Sequence, residues 1–525
     1  MKKKYVRWTL WTIASPFILF IILCILIYLP PIQNFLVDKA AVYASEATGM
    51  NISVGRISLS FPLNLVVTNV DAASPHNDTL LSVRRLQVNV QLLPLLKKQV
   101  EVDGISLQGA TVNSNDLIHG MKLNGTLGEL FISSHGVALD PETAIVNKVL
   151  LKDTDLSLCL NDTAAADTAA SDTTYWKIIL QDIDLQNVSF ALDMPLDSLS
   201  LAASLDNAIL RDGLIDLHKS AYSLQTFRIE NGRVRYDNGK PLAADSLSSG
   251  LDPSHIALTD IGVKLDSLYY GGRNMKAIIS QFVLKERSGV EIVSATGRMV
   301  SNDKVLRVPS LKLETRDSYL ELNAAMDWNA LDFKDEGLVS ARLMADIGKP
   351  DVVRFMGSMD EKFIRQYPSE PLRIRTGIDG DLNKLKLTTL TAELPGALGL
   401  FARGELTHLT DSLLRGGDIT LEAETKDLKF VSTLAEGIEI PYGTRLEGKF
   451  TMAGTKMGTD LLLMQPEAQA VVAADTIPIT VYNDSISVAD DFKMERAARL
   501  FAKYDLSRDR YEADLAVNHF DLHQF

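Results

Sequence analysis

The sequence predicts a mainly β chain carried on an N-terminal transmembrane helix. Three observations point there. A charge-free apolar run from Trp8 to Leu29 follows the basic cluster Lys2, Lys3, Lys4 and Arg7. From Asn51 the apolar period changes from about 3.6 residues to 2, the repeat of a strand with one apolar face, and this pattern returns to the end of the chain. Stretches with helical periodicity are few and short.

The run WTLWTIASPFILFIILCILIYL has the length of a span, because at about 1.5 Å per residue some 20 helical residues cross the roughly 30 Å hydrocarbon core. Lys and Arg beside a span stay on the cytoplasmic side. Residues 1–7 are therefore expected to be a cytoplasmic basic tail and 8–29 a single-pass helix, with the remainder exported. A cleaved signal peptide would have an apolar segment of about 7 to 15 residues and a small-x-small site after it. This run is longer, it exits through Tyr28-Leu29-Pro30-Pro31, and Val42-Tyr43-Ala44 is a distant cleavage candidate, so the anchor is the preferred reading. Trp8, Trp11 and Tyr28 would then lie at the interfaces, where amphipathic rings are favoured.

Residues 31–48 are expected to form an amphipathic helix: Pro31 suits its first turn, Ile32, Phe35, Leu36, Ala40, Tyr43 and Ala47 share a face, and Gly49 closes it. Next, Ile57, Leu59, Phe61, Leu63, Leu65 and Val67 alternate with mostly polar residues and predict one strand. The pattern resumes at Leu86, Val88, Val90 and Leu92, then after Leu-Leu-Pro-Leu-Leu-Lys-Lys at Val100, Val102, Ile105 and Leu107. Later instances include Ile183 and Leu185 with Val188, Phe190 and Leu192, and Leu320, Leu322, Ala324, Met326 and Trp328. Asn124-Gly125, Asp212-Gly213, Asn231-Gly232, Asn238-Gly239, Gly271-Gly272, Asp379-Gly380 and Gly416-Gly417 supply the positive φ of tight antiparallel turns and are expected at hairpins. Two short amphipathic helices are expected over Asp351 to Tyr367 and Asp490 to Tyr504. The small, acidic segment 161–174 cannot bury a core and predicts a disordered loop, with a looser connection over 237–254. The stretch from Tyr511 to Phe525 ends without a polar cap, so the β body of residues 51–525 is expected to continue beyond 525 or to be completed by a partner.

A chain of 525 residues exceeds one ordinary core, so several packed units or one elongated body are expected. With 53 basic and 67 acidic residues the formal charge is −14, and part of the basic complement precedes the span; a nucleic-acid partner is excluded on this ground. Cys24 lies in the span and Cys159 stands alone outside it, so no disulfide staples the exported part.

No catalytic constellation emerges, and an enzyme is not expected. His519 and His523 lack the glutamate of a zinc-protease motif and a third ligand. Asp379-Gly-Asp381-Leu-Asn383 begins like a calcium loop, but Lys384 and Leu390 replace the required glycine and glutamate, which favours a hairpin turn. No phosphate-binding loop, dinucleotide fingerprint or nucleophile elbow is present. Arg84-Arg85 and Lys97-Lys98 are expected to be solvated or near lipid headgroups, and no metal or cofactor is implied.

The apolar alternation leaves two arrangements open. The one-sided sheet either packs against a second sheet, as composition alone favours, or curls into a trough whose apolar inside stays available to acyl chains.

The N-terminal span, the helix ending near Gly49, and the stretches VGRISLSFPLNLVVTNVDAAS and LLSVRRLQVNVQLLPLLKKQVEVDGISLQGATVN resemble the amino-terminal region of the AsmA/TamB family of bacterial envelope proteins. The resemblance is strongest over residues 1–115. It implies an elongated, curled antiparallel β-groove in the periplasm, anchored in the bacterial inner membrane, that conducts phospholipid toward the outer membrane or supports outer-membrane assembly. Its acyl chains would lie on Ile57, Leu59, Phe61, Leu63, Leu65, Val88, Val90, Leu185 and Phe190. The resemblance does not extend to the carboxy-terminal domain with which the TamB branch meets an outer-membrane partner protein, so such a partner stays open. The alternative is a scaffold or chaperone-like module acting through strand-edge pairing with a client.

Overall fold

A computed structural model of the chain describes residues 39, 41, 42, 45, 46, 49–60, 64–74, 79–90, 102–114, 121–138, 142–161, 175–239, 250–334, 336–356, 361–433, 443–466 and 494–518. It is mainly β, built from curled, largely antiparallel sheet. The chain divides into two units, residues 1–241 with 254–271 and residues 242–253 with 272–525.

The first unit contains β1 (Asn51–Ser60), β2 (Asn64–Ala73), β3 (Thr79–Val90), β4 (Val102–Asn113), β5 (Met121–Ala138), β6 (Thr143–Leu160), β7 (Lys177–Met194), β8 (Leu199–Asp216), β9 (Ala221–Leu224), β10 (Thr226–Asp237) and β11 (His255–Gly271). Each of β1 to β5 pairs antiparallel with its successor. The pair β6 and β7 is parallel, Thr143 opposite Lys177 and Cys159 opposite Asp193, an exception to the antiparallel expectation. Both β9 and β10 pair with β8 on one side and β11 on the other.

The second unit is a meander in which every strand pairs antiparallel with the next: β12 (Asn274–Glu286), β13 (Glu291–Ser301), β14 (Val305–Thr315), β15 (Tyr319–Asp327), β16 (Leu338–Ile347), β17 (Leu372–Asp381), β18 (Lys384–Leu394), β19 (Leu398–Thr407), β20 (Gly416–Thr425), β21 (Arg445–Ala453), β22 (Lys456–Pro466), β23 (Met494–Asp505) and β24 (Arg510–Val517). Its helices are short: α1 (Trp328–Leu331), α2 (Lys349–Phe355) and α3 (Glu361–Gln366).

Several sequence expectations are corrected. The alternation from Ile57 to Val67 is two strands, with Ser60 opposite Asn64, so one apolar repeat is folded back on itself. Residues 494–504 form β23 instead of a helix; ladders to β22 and β24 on both sides outweigh the helical spacing of Met494, Ala497, Ala498 and Phe501. The expected helix over 351–367 is two helices, with residues 357–360 outside the described set. Gly271-Gly272 and Asp379-Gly380 do sit at strand ends, and Asp381 Oδ1 accepts from the Asn383 and Lys384 amides (2.9 and 2.8 Å), the hairpin turn preferred over a calcium loop. Asn124-Gly125, Asp212-Gly213 and Asn231-Gly232 instead lie within β5, β8 and β10.

Residues 39, 41, 42, 45 and 46 are helical, and Gly49 follows with φ 69° while its amide donates to the Ser45 carbonyl (2.9 Å). Among the described residues no helix is long and apolar enough to cross a membrane; the run 8–29 lies outside them, as do 162–174 and the Leu-Leu-Pro-Leu-Leu-Lys-Lys stretch.

A tight core forms in the second unit where α3 and the segment after β20 meet the turn from β18 to β19. Phe363, Tyr367, Leu394, Ala397, Leu428 and Phe430 are buried together, and the Phe363, Tyr367 and Phe430 rings lie within 5.1–5.7 Å of one another. Helix α2 is fixed to the turn between β14 and β15. The buried Asp351 carboxylate accepts from Thr315 Oγ1, Ser318 Oγ (2.6 Å) and Arg354 Nη1 (3.0 Å), and Arg354 Nη1 also donates to Asp317 (2.8 Å). Phe363→Ala is expected to cost about 3–5 kcal/mol locally, the usual price of a fully buried ring. Hydrogen exchange should show faster amides in α3 and around Leu428, with β12 to β14 unchanged; unaltered exchange in α3 would contradict this.

Candidate functional site

Register in the first unit aligns the apolar positions of successive strands into rows. One row runs Leu59, Leu65, Val88, Ile105, Ile132, Val149, Ile183, Leu210, Phe227, Leu265 from β1 to β11. Beside it runs Ile57, Val67, Leu86, Leu107, Leu130, Leu151, Leu185, Ala208, Ile229, Val263. On the opposite face the row beside the second of these is polar throughout: Arg56, Thr68, Arg85, Gln108, Glu129, Lys152, Gln186, Asn207, Glu230; the row between the two is mixed: Ser58, Val66, Gln87, Ser106, Phe131, Leu150, Asp184, Ile209, Arg228. Cross-strand neighbours on one face lie within contact of each other, so each row is a continuous surface.

Both faces keep their chemistry across a crease that cuts the strands at one level. Between Val54 opposite Val70 and Arg56 opposite Thr68, the pair Gly55 and Asn69 drops out of the ladder. The same gap falls at Arg84, Gly109, Gly128, Asp153, Asn187, Asp206 and Asn231 in the strands that follow. Asn69, Gly109, Asp153, Asn187 and Asn231 have φ of 51°, 62°, 49°, 52° and 53°, a left-handed conformation that Asn, Asp and Gly tolerate best. Such a residue slips the alternation by one, so apolar positions in β7 run 183, 185, then 188, 190. Asn187 Nδ2 donates to Asp153 Oδ1 (2.9 Å) and Asn231 Nδ2 to Asp206 Oδ2, binding neighbouring strands on the polar face. Bulged positions bend strands and increase their twist; aligned across a sheet, they curl it about the crease.

Beyond the crease the apolar face resumes as Ile52, Ala72, Leu81, Val112, Gly125, Leu156, Phe190, Ala203, Val234, Leu258. No ionisable side chain stands in these rows. Thr154, on the row nearest the crease, satisfies its hydroxyl on the Lys152 carbonyl (3.1 Å).

Among the described residues, little protein lies over this face. Among the described residues of the first unit the buried apolar side chains are Ala72, Leu80, Val83 and Ala208, whereas most residues in the rows are half-exposed. Phe190 is 38% and Ile105 37% accessible, against 2% for Phe363 in the packed core of the second unit. Spanning roughly 20 Å along the strands and 40 Å across them, the face has a footprint on the order of 1,000 Å². The largest apolar patch of an ordinary monomer is about 300–600 Å².

The sequence-derived residues are placed as follows. Ile57, Leu59, Leu65, Val88 and Leu185 lie on the two rows on one side of the crease, and Phe190 lies on a row of the other side. Val90 ends β3 opposite Val102. Phe61 and Leu63 lie outside the described residues, as do His519 and His523. Residues of β4, β5, β6, β8, β10 and β11 complete the rows and are missing from the sequence-derived set; the three-residue step across each crease is their signal.

The second unit has an apolar row of its own, of large and small residues, Leu320, Ala345, Ile374, Ala392, Leu400, Ala423, Leu446, Leu463, Ala498, from β15 to β23. Leu372, Leu394 and Leu398, at one end of this face, are engaged by the packed core around Phe363.

Among the described residues no three His, Cys, Asp or Glu come together in a way that could hold a metal ion. No protein-family model matches the chain, and no curated protein matches it.

Proposed function

We propose that the chain is an inner-membrane-anchored periplasmic protein whose apolar β face carries phospholipid acyl chains passively toward the outer membrane, as its resemblance to the AsmA/TamB family implies. The observation that carries this reading is the half-exposed, charge-free set of apolar rows across β1 to β11. Acyl chains lie on these rows while headgroups stay in water at the strand ends. Covering a methylene is worth about 0.8 kcal/mol, much as in the bilayer that the lipid leaves, so passage along the rows meets shallow wells and needs no nucleotide. The apolar run 8–29 supplies the inner-membrane anchor.

A second reading draws on β24. All eight of its residues are exposed, and among the described residues it pairs only with β23, leaving an edge suited to strand addition by a client or an outer-membrane assembly factor.

Native mass spectrometry of the chain exchanged out of detergent tests the first reading. Co-purifying phospholipid is expected. A lipid-free protein that crosslinks to another protein from Leu515 would favour the second.

A further inference from the structure

One rim of the wide part of the first unit is crowded with aromatic rings. Tyr175 and Trp176 lead into β7, His218 follows β8, Tyr222 is in β9, and Tyr269 and Tyr270 end β11. Tyr175 and His218 meet edge to face at 5.6 Å, and the Leu217 amide donates to the Trp176 carbonyl (3.1 Å), which ties the β7 and β8 ends together. Tyr222 and Tyr270 stack at 6.2 Å with an interplanar angle of 27°, and remain 40% and 47% accessible.

The stacked pair stands at the end of the apolar face, because a second slip, where Gln181 and Asp212 (φ 50°) drop out of the ladder, puts Ile178 and Ile215 on the face of Ile183 and Leu210. Ala144, Ile178, Ile215, Tyr222 and Tyr270 are successive partners in one row. Below the rings the surface is aliphatic; beyond them it is water. Tyrosine rings favour that boundary, as they do at the headgroup level of membranes.

The charges at this rim balance. Lys177 and Lys219 stand with Glu142, which accepts from the Tyr175 amide (2.7 Å), and Asp216, which accepts from the Lys219 amide (3.0 Å). Arg211, the next cation along β8, is paired with Asp182. The rim therefore offers ring faces and no excess positive charge, in a chain whose net charge is −14. Ring faces attract ammonium groups, and the field of the chain repels net-anionic ones.

Resting on the acyl-chain reading above, we propose that the Tyr222–Tyr270 rim selects phospholipids whose headgroup carries an ammonium over those with a net-anionic headgroup. The test is a competition. The full chain is incubated with vesicles of equimolar phosphatidylethanolamine and phosphatidylglycerol with identical acyl chains, and the bound lipid is extracted and quantified. Enrichment of phosphatidylethanolamine of about five-fold is expected, the strength of one half-exposed cation–ring contact. In the Tyr222→Leu, Tyr270→Leu double variant, which keeps the apolar area, the ratio is expected to fall toward one with total bound lipid unchanged. Equal binding by the wild type, enrichment of phosphatidylglycerol, or undiminished selection in the variant would overturn the proposal and leave the acyl-chain reading standing. Absence of both lipids from the wild type would overturn the two together. The wild-type competition decides the matter even where the variant misfolds.

Discussion

Placing aspartate at both Leu151 and Leu185 is expected to reduce lipid transfer between vesicles at least about tenfold while leaving the protein folded. The two positions are direct partners on β6 and β7 and lie in one apolar row. Both are half-exposed, so the new carboxylates keep most of their water and the fold tolerates them. An acyl chain passing over the row must strip that water, which costs several kcal/mol for an ionised group, and about 1.4 kcal/mol suffices for each factor of ten. Gln186→Asp, one position along on the polar face, is the matched control and should leave transfer intact. Were the apolar face the inside of a packed sandwich, the double variant would unfold. Circular dichroism beside the transfer assay separates the two results, and a folded variant with normal transfer would reject these rows as the lipid path.

Replacing Asn187 by valine is expected to destabilise the first unit by about 2–3 kcal/mol, and replacing it by glycine by much less. Asn187 holds φ at 52° and donates to Asp153 of the neighbouring strand along the crease (2.9 Å). A left-handed conformation costs an ordinary L-residue roughly 1–2 kcal/mol, more for a β-branched one, and the lost hydrogen bond adds about 0.5–1.5 kcal/mol. Glycine loses only the bond. Hydrogen exchange of the β6 and β7 amides reads the difference strand by strand, which suits a chain of two units better than a single melting point. Equal protection in the valine and glycine variants would show that the crease does not depend on left-handed backbone.

Much of this architecture is legible in the residues. The period of two identifies strands, and the chemistry of alternate positions separates an apolar from a polar face before any register is known. The crease was legible too, since Leu185 to Val188 and Leu107 to Ala110 each take three steps where two are expected. What hides it is that Asn124-Gly125, Asp212-Gly213 and Asn231-Gly232 fit hairpin turns equally well: positive φ is the same local requirement in a turn and in a bulge. Only the partner strand decides between them. The same holds for residues 494–504, whose spacing suits a helix until β22 and β24 flank them. The parallel pairing of β6 with β7 has no local signature at all, because it depends on where the chain re-enters the sheet. Whether the apolar face is covered is likewise invisible to periodicity; a strand under a second layer and a strand lining an open face alternate alike.

Site-specific photocrosslinking in cells tests the central claim most directly. A benzophenone side chain is placed at Leu130 or Val188 on the apolar face, and at Glu129 or Ser189 on the polar one. Phospholipid adducts, seen as a mass increase of the intact chain, are expected from Leu130 and Val188 and from neither polar position. Adducts from Leu130 and Val188 to the chain's own segments, with no lipid attached, would mean that protein fills the furrow and would contradict the account.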